Sequence, residues 1–227
     1  MNSNDYTVVL ALEDFVPTGL ALVGFWILAG MAGQVVPRVG PVARVGAVLI
    51  GLGGLAKSTW KLLLAGFSID LPWLEAALFP LMAVGAVGLI WGLASALRGR
   101  SLPWWPFAAV LAVTAGVAAA YAIFAPIFAL ATTGVTTISV LAAIIAGRRR
   151  AWGAVTLYVV GLACVLLLVP LRNHPDHETL AMQWVEQSTN TIGQAALLVA
   201  AWLTARAHHR ASTTSHPTPA QEGAVSS

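Results

Sequence analysis

The chain has 227 residues, of which 58% are hydrophobic and only 9% charged, with a mean hydropathy of +0.81. A soluble domain carries about 25% charged residues, so the composition excludes one. Repeated apolar runs of about 20 residues indicate an integral membrane protein whose first partner is the lipid bilayer, and the net charge of +3 sits in short loops, where it reports topology rather than a nucleic-acid partner.

In chain order, the opening "MNSNDY" lacks the basic n-region of a signal peptide, so the first apolar segment is expected to remain in the mature protein. Seven spans are predicted, at roughly 6–31, 45–66, 71–97, 104–122, 126–146, 151–171 and 180–205. Each is long enough to cross an apolar layer of about 30 Å at about 1.5 Å per residue. The separators carry Gly, Pro or charge, which punctuate helices. The expected fold is therefore all-α: a single seven-transmembrane-helix domain over 1–205, followed by a disordered cytoplasmic tail at 206–227 that is rich in Ser, Thr and Pro.

Basic residues alternate with loop parity. Arg38 and Arg44, Arg98 and Arg100, Arg148 to Arg150, and Arg206 and Arg210 fall on one side. Asp5, Asp70, Asp176 and Glu178 fall on the other, with Arg172. The positive-inside rule places the N-terminus outside and the C-terminus in the cytoplasm. Arginine outnumbers lysine and alanine is abundant, a composition that fits a GC-rich bacterial genome and hence a bacterial plasma membrane. Most of the tryptophans fall near span ends, as aromatic belts require.

Charges within spans are few, and a charge at membrane depth usually faces the bundle interior with a partner. Span one holds Glu13 and Asp14, span two Lys57 and Lys61, and span three Glu75. Span six ends at Arg172, and span seven holds Glu186. Under the orientation above, all seven lie in the outer half. Lys57 and Lys61 are four apart and share a helix face. In span seven, Gln183, Glu186, Asn190 and Gln194 recur at steps of three and four and form a polar stripe. Pro17 cannot bond to the carbonyl of Glu13, nor Pro80 to that of Ala76, so both helices are expected to break beside an acid. Adjacent residues point about 100° apart, so one member of the Glu13–Asp14 pair is expected to face the lysines and the other span seven or the outer water.

These residues predict an outward-facing polar cavity that binds, senses or transports a small polar or amphipathic molecule or a lipid headgroup. Its candidate ligand-binding residues are Glu13, Asp14, Lys57, Trp60, Lys61, Glu75, Arg172, Glu186, Asn190 and Gln194. Two other readings compete. Paired carboxylates can supply an acid and a base to an intramembrane enzyme working on a lipid substrate. Alternatively, the charges form an ion-pair network that specifies helix packing. No catalytic residue, cofactor or metal is assigned. "STWK" matches the S-x-x-K spacing of acyl-enzymes without its companion motifs. In "NHPDHE", Asp176 is expected to cap span seven rather than join His174 and His177 around a metal. The hydroxyls of Thr132, Thr133, Thr136, Thr137 and Ser139 suit their own helix carbonyls as well as a ligand. Seven spans so oriented resemble the opsins and other seven-helix receptors in count and orientation only: the last span has no lysine for a retinal Schiff base.

Overall fold

A computed structural model describes residues 8–176 and 179–214. The described residues form α-helices joined by short turns, with no strand. The helices are α1 (Val8–Glu13), α2 (Phe15–Val35), α3 (Gly40–Phe67), α4 (Pro72–Ala76), α5 (Leu78–Arg98), α6 (Trp105–Tyr121), α7 (Ala125–Arg148), α8 (Trp152–Arg172) and α9 (Leu180–Thr214). Five stretches are long and apolar enough to cross a membrane: Val8–Val35, Pro37–Phe67, Pro72–Arg98, Ala125–Arg148 and Trp152–Leu171. The apolar helix α6 is shorter, at 17 residues. Helix α9 is 35 residues long and carries glutamine and asparagine through its first half. Large apolar side chains such as Val113, Leu166 and Ile192 are exposed along these helices, as expected where the surroundings are lipid rather than water.

Two of the long stretches are each split into two helices, and proline explains both splits. Helical bonding lapses at Asp14 and at Ala77, each three residues before a proline (Pro17 and Pro80). Proline lacks an N–H, and its ring crowds the carbonyl four residues back. The backbone at Asp14 (φ −56°, ψ −23°) and at Ala77 (φ −69°, ψ −22°) nevertheless stays helical. Bonds are lost there, and the chain does not turn.

Small residues set how closely the helices meet. A Cβ added at Gly46 of α3 would lie 2.5 Å from the Gly85 carbonyl oxygen of α5, and one added at Gly85 would lie 2.5 Å from that of Gly46. Only glycine permits this backbone-to-backbone approach. The core is a layer of Leu28, Ala29 and Ala32 from α2, Leu89 and Leu93 from α5, Ile138 and Ala142 from α7, and Ala200 and Ala201 from α9.

One end of the bundle gathers the arginines. The Arg148 guanidinium donates to the Leu97 carbonyl at 3.1 Å and ties the ends of α5 and α7 together. Arg44 lies over the Trp26 ring and Arg206 over that of Trp202. Helix α9 continues through Thr214, past the expected end at 205. "ARAHHRA" contains no helix breaker, and the first proline beyond it is Pro217. Residues 215–227 of the expected tail lie outside those described. At the opposite end, the cap of α9 is Thr179 rather than Asp176: its hydroxyl accepts the Met182 N–H at 3.3 Å. Thr179 Oγ1 in turn donates to the Asp176 carbonyl at 2.7 Å. His177 and Glu178 lie outside the described residues.

Candidate functional site

A cavity of about 570 Å³ opens among α2, α3, α5, α7, α8 and α9. That lies within the roughly 300–1,000 Å³ range of small-molecule sites. Its wall divides by chemistry. Asp14, Lys57, Ser58, Lys61, Asn173, Gln187, Asn190 and Gln194 supply polar groups. Phe25, Ile50, Leu78, Phe79, Met82, Phe128 and Leu168 supply an apolar surface. Phe79 meets Phe128 edge to face with centroids 4.8 Å apart, and Phe124 at 5.9 Å, which closes the seam between α5 and α7 with rings.

Asp14 organises the polar wall. One carboxylate oxygen pairs with the Lys61 ammonium and the other accepts from the Gln187 amide. Three helical segments thus meet on one side chain: the α1–α2 break, α3 and α9. Its backbone oxygen is used as well. The Thr18 hydroxyl lies 2.9 Å from it and the Ser58 hydroxyl 3.2 Å, with Thr18 and Ser58 3.4 Å apart. The Thr18 contact is back-bonding to the carbonyl one turn earlier, and the Ser58 contact brings α3 to the same oxygen. Ser58 also lies 3.1 Å from the Gly54 carbonyl. Its hydroxyl serves these carbonyls, and no contact with Lys61 supports an S-x-x-K dyad.

The candidate residues sort by place. Asp14, Lys57, Lys61, Asn190 and Gln194 line the cavity. Glu13 does not. Its Oε1 accepts from the Thr191 hydroxyl on α9, while its buried Oε2 meets no hydrogen-bond donor among the described residues. Trp60 is 6% exposed, and its indole N–H donates to Asp70 at 2.9 Å, which pins the turn after α3. Glu75 is exposed on α4, and Glu186 is half-buried on α9 without lining the cavity. The Arg172 side chain is not among those described. The threonines of α7 donate to carbonyls of their own helix, Thr132 to Phe128 at 2.9 Å and Thr136 to Thr132 at 3.2 Å. Thr132 and Thr136 still present their surfaces to the cavity.

Gln187 and the aromatic pair are additions that sequence reading missed. The polar stripe of α9 runs Gln183, Gln187, Asn190 and Gln194, at steps of four, three and four. Glu186 fits the stripe equally well at steps of three, four and four, so spacing alone did not select Gln187, which lies about 100° away on the helix. Phe79 and Phe128 had no signal either, because an aromatic in an apolar span has the same pattern whether it faces lipid or a cavity. Among the described residues no group of three His, Cys, Asp or Glu side chains is placed to hold a metal. Comparison with models of known families, with curated proteins and with solved structures gives no match.

Proposed function

We propose that the protein is a seven-span bacterial plasma-membrane protein, with its N-terminus outside and its C-terminus in the cytoplasm, that binds a small amphipathic molecule in an outward-facing cavity. The observation that carries this reading is the divided wall of the 570 Å³ cavity, polar around Asp14, Lys57, Lys61 and Gln187 and apolar around Phe79, Phe128 and Met82. A ligand with a polar head and a short apolar body satisfies both surfaces; a purely polar solute leaves the phenyl rings without a partner. The outward orientation follows from loop charge. Arg98, Arg148 and Arg206 gather at the end away from the polar wall, and basic loops are retained in the cytoplasm. The seven-span count adds α6 and α9 to the five stretches that cross by length and composition. At about 1.5 Å per residue α6 spans roughly 26 Å.

A second reading, of the charges as packing determinants, is favoured by one observation: both Asp14 carboxylate oxygens are engaged by protein groups. Native mass spectrometry and lipid analysis of the purified protein separate the two. An amphipathic molecule retained by the wild type and lost in Phe79→Ala, at unchanged thermal stability, supports the cavity reading. A wild-type protein that retains nothing, with variants that differ only in stability, supports the packing reading.

A further inference from the structure

The geometry points to an internal duplication: residues 8–98 and 125–214 are two copies of one three-helix unit, and the cavity on the axis between them is a transport path that opens alternately to either side. This deepens the amphiphile-binding reading and rests on it.

The packing is the first support. Helix α3 packs on α5 as α8 packs on α9, and α2 packs on α3 and α5 as α7 packs on α8 and α9. The halves join where α2 meets α9 and where α5 meets α7, two seams that exchange when the halves are swapped. Each seam is seated on a glycine. A Cβ on Gly24 of α2 would lie 3.4 Å from the Leu198 Cα of α9, and one on Gly134 of α7 would lie 2.7 Å from the Ala86 Cβ of α5.

Sequence spacing gives independent support. Gly24, Leu28 and Ala32 are buried in α2, and Gly134, Ile138 and Ala142 are buried in α7 at one constant offset. One residue further apart, Ala86, Leu89 and Leu93 of α5 correspond to Leu197, Ala200 and Thr204 of α9, all buried. At that same longer offset Trp73, Glu75 and Trp91 correspond to Trp184, Glu186 and Trp202. The cavity obeys the relation too. Gly54, Lys57 and Phe79 line it from the first unit, and Val165, Leu168 and Asn190 line it from the second, again at that offset. The charges obscured the relation, because Lys57 corresponds to Leu168.

Helix α6, which buries none of its residues, is the connector. A three-span unit ends on the side opposite its start, and one further span returns the chain, so the second unit begins in the same orientation as the first. Parallel repeats with a binding site at their interface are a transporter architecture. Past the cavity-lining Phe25 and Thr136, toward the arginine-rich end, α2 and α7 bury the small apolar residues Ala32 and Ala142, each 0% exposed, and this seal would have to part for the path to open inward. Rocking about the two glycine seams would part it.

The test uses the full chain with Cys164→Ser, its only cysteine, in oriented membrane vesicles, with a membrane-impermeant thiol reagent as the probe. Thr136→Cys, in the cavity wall, is expected to react from the outer side and, when the path opens inward, from the arginine-rich side as well. Ala32→Cys and Ala142→Cys are expected to react only from the arginine-rich side, at rates within about twofold of each other, because the motion is symmetric. Folding of each variant is checked by its melting curve. If Thr136→Cys reacts and both seal variants stay inert, the cavity is a static pocket and the transport path is overturned while the binding reading stands. If only one seal variant reacts, the opening is local and the symmetric motion is overturned. If Thr136→Cys reacts from neither side, the outward cavity fails and this proposal fails with it.

Discussion

The carboxylate of Asp14 is paired with the ammonium of Lys61 across two helical segments, with the two side chains only 12% and 14% exposed. Removing one member of a largely buried pair deprives the other of its opposite charge, at a cost of about 1–3 kcal/mol beside a water-accessible cavity. Asp14→Asn and Lys61→Met are each expected to lower the melting temperature. The double variant is expected to recover most of the loss, because no lone charge remains. Thermal melts of the four proteins measure the coupling, and strictly additive losses would exclude it.

The cavity wall predicts ligand retention. Phe79→Ala removes the ring that meets Phe124 and Phe128, and Asn190→Ala removes a polar group on the facing helix. Each is expected to reduce the retained amphiphile by roughly three- to tenfold, the equivalent of about 0.7–1.4 kcal/mol. Exposed Glu75→Ala is the control, with no change expected. Native mass spectrometry of the three variants reads the effect directly.

Helix spacing predicts opposite outcomes for two glycines. Gly85→Ala drives a methyl to 2.5 Å from the Gly46 carbonyl oxygen and is expected to cost about 1–3 kcal/mol. Gly30→Ala, in open space on α2, is expected to be neutral or to stabilise by up to about 1 kcal/mol, since alanine restricts the unfolded chain. Equal destabilisation by both would mean that α3 and α5 do not approach as described.

Trp60→Phe keeps the aromatic volume and deletes the bond to Asp70. A loss of about 1 kcal/mol is expected, with ligand retention unchanged, because Trp60 does not line the cavity. A variant that loses ligand at full stability would move Trp60 back into the binding wall.

His208 lies at the arginine-rich end of α9. Burial, then the charge of Arg149, then His209, hold its pKa below the usual histidine value. The fold therefore favours the neutral ring. The unfolded chain takes up a proton as pH falls through about 6.5, while the folded chain does so only at lower pH. Stability from this group is complete above about 6.5 and declines as pH falls toward the folded value. Melts between pH 7.5 and 5 are expected to show a decline that His208→Gln flattens; an unchanged slope would assign it elsewhere.

Much of the helical frame was legible because apolar runs and their punctuation follow from membrane thickness, and the proline breaks followed from a missing donor. Within the site, Asp14, Lys57, Lys61, Asn190 and Gln194 were legible because charge and amide groups are costly at that depth. Trp60 was not, since its partner Asp70 sits in a turn that periodicity does not reach. Glu75 is expected at the cavity but is exposed on α4 and does not line it; a charge near a span end has the same pattern on either face. The correspondence between the two halves was hidden for a related reason. It lies mainly in buried positions and close-packed glycines, with Glu75 and Glu186 the one matched pair of charges, whereas the acids and lysines at Glu13, Asp14, Lys57 and Lys61 have no counterparts.

The amides of α9 also bear on how the chain is made. Gln187, Asn190 and Gln194 interrupt the apolar run of α9, which is not among the stretches that pass for a membrane span by length and composition. Yet Gln187 is satisfied by Asp14, and Thr191 meets Glu13, both at the start of the chain. Helix α9 thus finds polar partners on a segment made 173 to 178 residues earlier. Until α9 arrives, Asp14 keeps Lys61 but lacks the Gln187 amide, and Glu13 lacks the Thr191 hydroxyl, so a chain that ends before Leu180 is expected to hold both acids less well satisfied.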